Sequence, residues 1–158
     1  MAMSIFSELG IQTGKDRKKE EVLYNIASCY ALFEQRMSRI LRPYHLSPVK
    51  MNALMMVKHV GVGNGLSQIE IGKRMIVSAG NITRLVDRME QEGLVERLAQ
   101  PKDRRVKRIK ITKKGSDLLD QVWSIYIKEI HQVTSSLSDQ DSTELVTVLG
   151  RLRKSISA

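Results

Sequence analysis

Residues 97–114 hold nine lysines and arginines against one acidic residue, a net charge of +8 in a chain whose total is +9. Charge that only keeps a protein soluble is scattered, whereas charge packed into one short stretch marks a local contact with a polyanion. The stretch also has a strand pattern. Val106-Lys-Arg-Ile-Lys-Ile111 puts Ile109 and Ile111 on one face and Arg108 and Lys110 on the other, the period of two of a half-buried strand. Leu94-Val-Glu-Arg-Leu98 reads as its partner, and Ala99-Gln-Pro-Lys-Asp-Arg-Arg105 as the hairpin tip between them.

Two short helical patterns precede the hairpin. Ser67-Gln-Ile-Glu70 is a capping box that starts a helix running to about Met75. Ser78 then caps a second helix with Ile82, Leu85, Val86 and Met89 on one side, and Gly93 stops it. Two short helices joined by a tight turn and followed at once by a basic hairpin define a winged helix-turn-helix. The second helix, residues 78–92, turns Gly80, Arg84, Asp87 and Gln91 away from the core, flanked by Asn81, Thr83 and Arg88. Small residues admit a close backbone approach to a groove, and Asn, Thr and Arg offer the donors and acceptors that read base edges. Ser78, Gly80, Asn81, Thr83, Arg84 and Arg88 are therefore candidate DNA contacts. In the wing, residues 99–107, Asp103 is spaced to hold Arg105, whose planar guanidinium suits a narrow minor groove. Lys102, Arg104, Lys107, Arg108 and Lys110 would pair with phosphates or steer approach.

Helices flank this core. Leu23, Ile26, Tyr30, Phe33, Met37, Ile40 and Tyr44 recur at steps of three and four, a stripe that needs another helix against it. Pro43 limits that helix near Arg42, and Ser47-Pro48 starts the next. Gly61-Val-Gly-Asn-Gly65 reads as a flexible connector. It lacks the Lys-Ser/Thr of a phosphate-binding loop. Thr112 caps a long helix, and Ser138 precedes a last one carrying Leu145, Val148, Leu149, Leu152 and Ile156. The fold class is mainly α with a small β-hairpin wing (α+β). The two terminal stripes can bury within one chain or across two; periodicity does not choose.

Leu66-Ser-Gln-Ile-Glu-Ile-Gly, the run Asn81 to Val95, and Pro101-Lys-Asp-Arg-Arg105 followed by Ile111-Thr-Lys-Lys-Gly115 resemble the MarR family of bacterial transcription regulators over roughly residues 20–156. The resemblance implies a homodimer held by its terminal helices, with Leu23, Ile26, Leu145, Leu149, Leu152 and Ile156 at the interface. It implies the recognition helix in the major groove, Arg105 in the minor groove, and a pseudo-palindromic operator. It also implies a repressor released by a small aromatic or phenolic effector. The expected organisation is a flexible segment at 1–15, an N-terminal dimerisation helix at 16–46, the winged helix-turn-helix at 47–114 and C-terminal dimerisation helices at 115–158. Family effector pockets lie between the dimerisation helices and the winged domain, which makes Arg36, Tyr44, His45, Met51, Met55 and Trp123 candidates. Some branches sense peroxides through a cysteine on the first helix. Cys29, the only cysteine, has no nameable partner to lower its pKa and is read as a buried small hydrophobe.

A sequence-specific regulator competes with a non-specific nucleic-acid-binding winged helix, which would use the same hairpin without preference among duplexes. An enzyme is not expected, since the chain holds no Ser/His/Asp set, no H-E-x-x-H and no P-loop. No metal site or cofactor is expected. The short, interrupted apolar stretch at the N-terminus suggests no signal peptide, and no apolar run reaches membrane-spanning length, so a cytoplasmic location without membrane contact is expected.

Overall fold

The computed structural model describes residues 4–12, 17–75, 79–99 and 107–157. The chain divides into two compact units, Met1–Val122 and Trp123–Ala158. Its helices are α1 (Ile5–Glu8), α2 (Lys18–Leu41), a 3₁₀ turn (Arg42–Tyr44), α3 (Pro48–His59), α4 (Gln68–Arg74), α5 (Ala79–Gln91), α6 (Lys113–Val133) and α7 (Asp139–Ile156). Strands β1 (Val95–Ala99) and β2 (Lys107–Ile111) lie between α5 and α6.

The N-terminal segment departs from the looseness its sequence suggests. Ile5–Glu8 form a helical turn whose Ile5 and Phe6 are buried. The Phe6 ring meets Tyr24 of α2 edge-on at 5.3 Å, and the Arg17 guanidinium lies 4.8 Å from its centroid. Four helical residues are too few to show a period, so burial of one aromatic ring decides the segment. Along α2, only Met37 and Leu41 are buried. Leu23, Ile26 and Tyr30 of its apolar stripe stand exposed. Cys29 is exposed as well, against the buried reading; Asn25, Ile26, Ala27 and Tyr30 around it on α2 are exposed too.

The winged domain is built on local caps that the sequence spells out. Ser47 accepts the Lys50 N–H and Pro48 sits in the first turn of α3. Ser67 and Glu70 complete the capping box of α4: Glu70 N–H donates to Ser67 Oγ at 3.2 Å, and Ser67 N–H to Glu70 Oε2 at 2.7 Å. Gly93, at φ +70°, turns the chain out of α5. Its N–H donates to Glu90 O and that of Leu94 to Met89 O, the paired bonds of a Schellman ending. β1 and β2 pair antiparallel with Arg97 opposite Ile109. The loop after α3 is not the flexible connector expected. Gly65, at φ +70°, brings Leu66 against β2, where Leu66 and Ile109 exchange backbone bonds of 3.0 and 2.7 Å. A Cβ at Gly65 would lie 2.6 Å from the Ile109 carbonyl oxygen. Ala53, Leu54, Ile71, Val86, Met89 and Ile109, all fully buried, form the centre of the domain.

Thr112 starts α6. Its hydroxyl accepts the Gly115 N–H at 3.1 Å and donates to the Gly93 carbonyl at 2.7 Å. In the second unit, Trp123 stacks on Tyr126 at 5.5 Å. Ser138 and Asp141 cap α7 reciprocally, and Leu145, Leu149 and Ile156 of α7 are exposed.

Candidate nucleic-acid interface

Helix α5 is strongly two-faced. Ile82, Val86 and Met89 are buried, whereas Thr83, Arg84 and Arg88 are exposed. Gly80 and Asn81 lie in its first turns. Lys107 is exposed at the start of β2. Thr83, Arg84, Arg88 and Lys107 are thus the predicted contacts described as open side chains. Ser78, Lys102, Asp103, Arg104 and Arg105 lie outside the described residues.

Two arginines of the hairpin have internal work. Arg97 of β1 is held by Asp87 and Glu90 of α5 through both guanidinium ends, and its backbone N–H donates to Glu90 Oε1 at 3.2 Å. Burial opposes the Arg97 charge, but the bond to Asp87 and the nearby Glu90 outweigh it and raise the guanidinium above its ordinary pKa. Asp87, read from the helical wheel as pointing outward, therefore joins strand β1 to the recognition helix. Arg108 was expected to pair with phosphate. It donates instead to Glu70 at 2.5 Å and to the Asn64 carbonyl at 3.3 Å. The alternation of β2 places it opposite the core, and there α4 offers a carboxylate. Each strand is thereby tied to one helix of the helix-turn-helix.

Glu70 is a pH-sensitive element of this scaffold. The backbone N–H of Ser67, then its hydroxyl, then Arg108 and Arg74 hold its pKa below the ordinary glutamate value. A depressed carboxylate adds stability above the unfolded pKa, and that stability is lost as pH falls through the folded one. Glu70→Gln is therefore expected to be less stable than the parent at neutral pH, with the gap narrowing as pH falls below the ordinary glutamate range. Urea unfolding at a series of pH values measures it, and a gap that stays constant as the solution is acidified would contradict the assignment.

The effector candidates only partly converge. Tyr44 and His45 line a cavity of about 450 Å³ with Glu92, Leu94, Lys114 and Leu118. Met51 is sealed in the core, 1% exposed, so it does not reach that cavity. Met55 and Arg36 are half-buried on α3 and α2. Trp123 belongs to the second unit. Of the dimerisation candidates, Leu23, Ile26, Leu145, Leu149 and Ile156 are exposed and Leu152 is half-buried.

Sequence reasoning missed Lys50 and Glu92. Lys50 is buried, and its ammonium donates to both Glu92 carboxylate oxygens at 2.7 and 2.8 Å and to the His45 carbonyl at 2.8 Å. His45 adopts left-handed backbone angles, φ 54°. A lysine among apolar residues just inside the start of α3 was the one available signal, and it does not name a partner 42 residues away.

A helix-turn-helix with an open face on its second helix and a hairpin braced against it is a DNA-binding winged helix. The MarR family model matches residues 46–107. The HTH-type transcriptional regulator MhqR of Bacillus subtilis is 31% identical over 127 residues, covering 80% of this chain and 86% of MhqR. Among solved structures, the S. aureus MepR–DNA complex superposes with a TM-score of 0.77 at 20% identity, covering 84% of this chain and 96% of MepR. The organohalide-sensing regulator RdhR, in its 2,4-dichlorophenol-bound form, gives 0.78 at 23% identity, covering 90% and 85%. The chain belongs to the MarR family and is a DNA-binding transcriptional regulator.

Proposed function

We propose that the protein is a homodimeric repressor that reads a pseudo-palindromic operator. The recognition helix, residues 78–92, enters the major groove, and the wing, residues 99–107, enters the minor groove with Arg105. Residues 47–114 form the DNA-binding domain; 16–46 and 115–158 hold the dimer. One observation carries the reading: α5 buries one row of side chains and leaves Thr83, Arg84 and Arg88 open, while acidic partners brace the hairpin beside it. A two-fold dimer then presents two recognition helices roughly 34–36 Å apart, one turn of DNA. Exposed leucines on α2 and on α7 supply apolar surface for a second copy to cover.

The cavity beside Tyr44 and His45 is of a size that suits a small ligand, and its mixed aromatic, apolar and charged lining favours a phenol or aromatic acid. That RdhR was solved with 2,4-dichlorophenol supports the same class. Binding there would release the operator. No helix among the described residues is long and apolar enough to cross a membrane. A regulator acts where the chromosome lies, which supports a cytoplasmic location, and a role met by binding and release calls for no catalysis. The test is competition at physiological salt between a duplex selected by the protein from a random pool and bulk DNA. A preference of about 10³-fold or more is expected. Equal affinity would instead mark a non-specific nucleic-acid binder.

A further inference from the structure

The most unusual side chain outside the DNA-facing surface is Lys50. Lysine is almost never fully buried unless it is paired. Lys50 is the one charged residue buried among the described residues. All three ammonium donors are used, on His45 O, Glu92 Oε1 and Glu92 Oε2. Stability alone does not account for such a pair, because well-packed apolar residues often replace a buried ion pair without loss. What three directed bonds add is a defined geometry.

That geometry falls on the recognition helix. Glu92 follows the last residue of α5 and precedes the Gly93 turn. Its carboxylate is held by Lys50 in the first turn of α3, and its carbonyl accepts Lys114 Nζ of α6 at 2.7 Å. The C-terminal end of α5 is thus gripped by side chain and backbone together. Thr83 lies nine residues back along the helix axis, roughly 13 Å at 1.5 Å per residue, so a tilt of about 5° at Glu92 moves it by about 1 Å. Base contacts tolerate about half that displacement.

We propose that Lys50 is a positioning residue for DNA recognition: through Glu92 it sets the angle at which α5 presents Thr83 and Arg84 to the major groove. The inference rests on the operator-binding reading above. It also predicts an asymmetry between the partners. The Lys50 side chain is 7% exposed and that of Glu92 36%. Without Lys50, the carboxylate can turn to water. Without the carboxylate, an ammonium stays buried.

The experiment compares the full-length protein with Lys50→Met, Glu92→Gln and the double variant. Each is titrated with a duplex selected from a random pool and with bulk DNA, alongside its thermal midpoint. Lys50→Met is expected to keep the fold and the bulk-DNA affinity but to lose about tenfold on the selected duplex, roughly one misaligned base contact. The double variant is expected to bind no worse than Lys50→Met, because both substitutions cut one link. A general loss of stability would lower both affinities together and leave their ratio unchanged. If Lys50→Met does not fold, Lys50→Gln, which keeps a donor for the His45 carbonyl and buries no charge, carries the same ratio test. Operator preference unchanged in the variants, or losses that simply add, would overturn the positioning role. A parent protein that prefers no duplex would overturn the operator reading, and this inference with it.

Discussion

Alanine at Gly115 is expected to destabilise the protein by about 3 kcal/mol, although the same change inside an unobstructed helix is favourable by up to about 1 kcal/mol. The opposite sign comes from contact. A Cβ at Gly115 would lie 2.2 Å from the Leu94 carbonyl oxygen and 3.0 Å from Ile111 Cγ1. That carbonyl also accepts the Thr112 N–H at 3.1 Å. The first turn of α6 is therefore pressed onto the start of β1, and neither backbone can yield without pulling the hairpin from the core. In calorimetry the midpoint is expected to fall by about 6–12 °C for a protein of this size. An unchanged or raised midpoint would show that α6 does not lie against the hairpin in this way.

Replacing Arg84 and Arg105 together by alanine is expected to weaken operator binding by about 2–6 kcal/mol, the sum of roughly 1–3 kcal/mol for each groove contact. The terms should add, because the proposed contacts lie in different grooves and share no partner. The fold should persist. Arg84 is exposed and forms no ion pair with another described residue, so its truncation falls among ordinary surface changes. Anisotropy titrations of the two single variants and the double at fixed salt measure the losses. Full affinity in either single variant would remove that arginine from the interface.

What could be read from sequence was whatever a few neighbouring residues decide. The helix starts at Ser47, Ser67, Thr112 and Ser138 all depend on a side chain meeting a backbone N–H three residues on. The stop at Gly93 needs a positive φ that glycine allows. The open face of α5 follows from helical period alone. What escaped was decided across long separations. Leu66 finds Ile109 over 43 positions, and Arg108 finds Glu70 over 38. A basic residue on a strand looks the same in sequence whether it awaits a phosphate or a carboxylate. For that reason the pairing of Arg108 with Glu70 is not legible in the sequence, while Lys107, exposed at the start of β2, stays a candidate. Cys29 was misread for a related reason. Small apolar residues are usually buried, but the stretch of α2 around Cys29 is exposed among the described residues of the single chain. In the same way, the effector candidates were chosen by residue type, and type alone cannot separate core-sealed Met51 from cavity-lining Tyr44.

On the proposed reading, two copies of one surface, α5 with its wing, sit on a duplex and choose its sequence. Selection of bound duplexes from a random pool by the intact protein tests it most directly. Enrichment of an inverted repeat whose half-sites lie roughly one helical turn apart is expected. A pool that stays random after repeated rounds, or that yields a motif without two-fold symmetry, would contradict it.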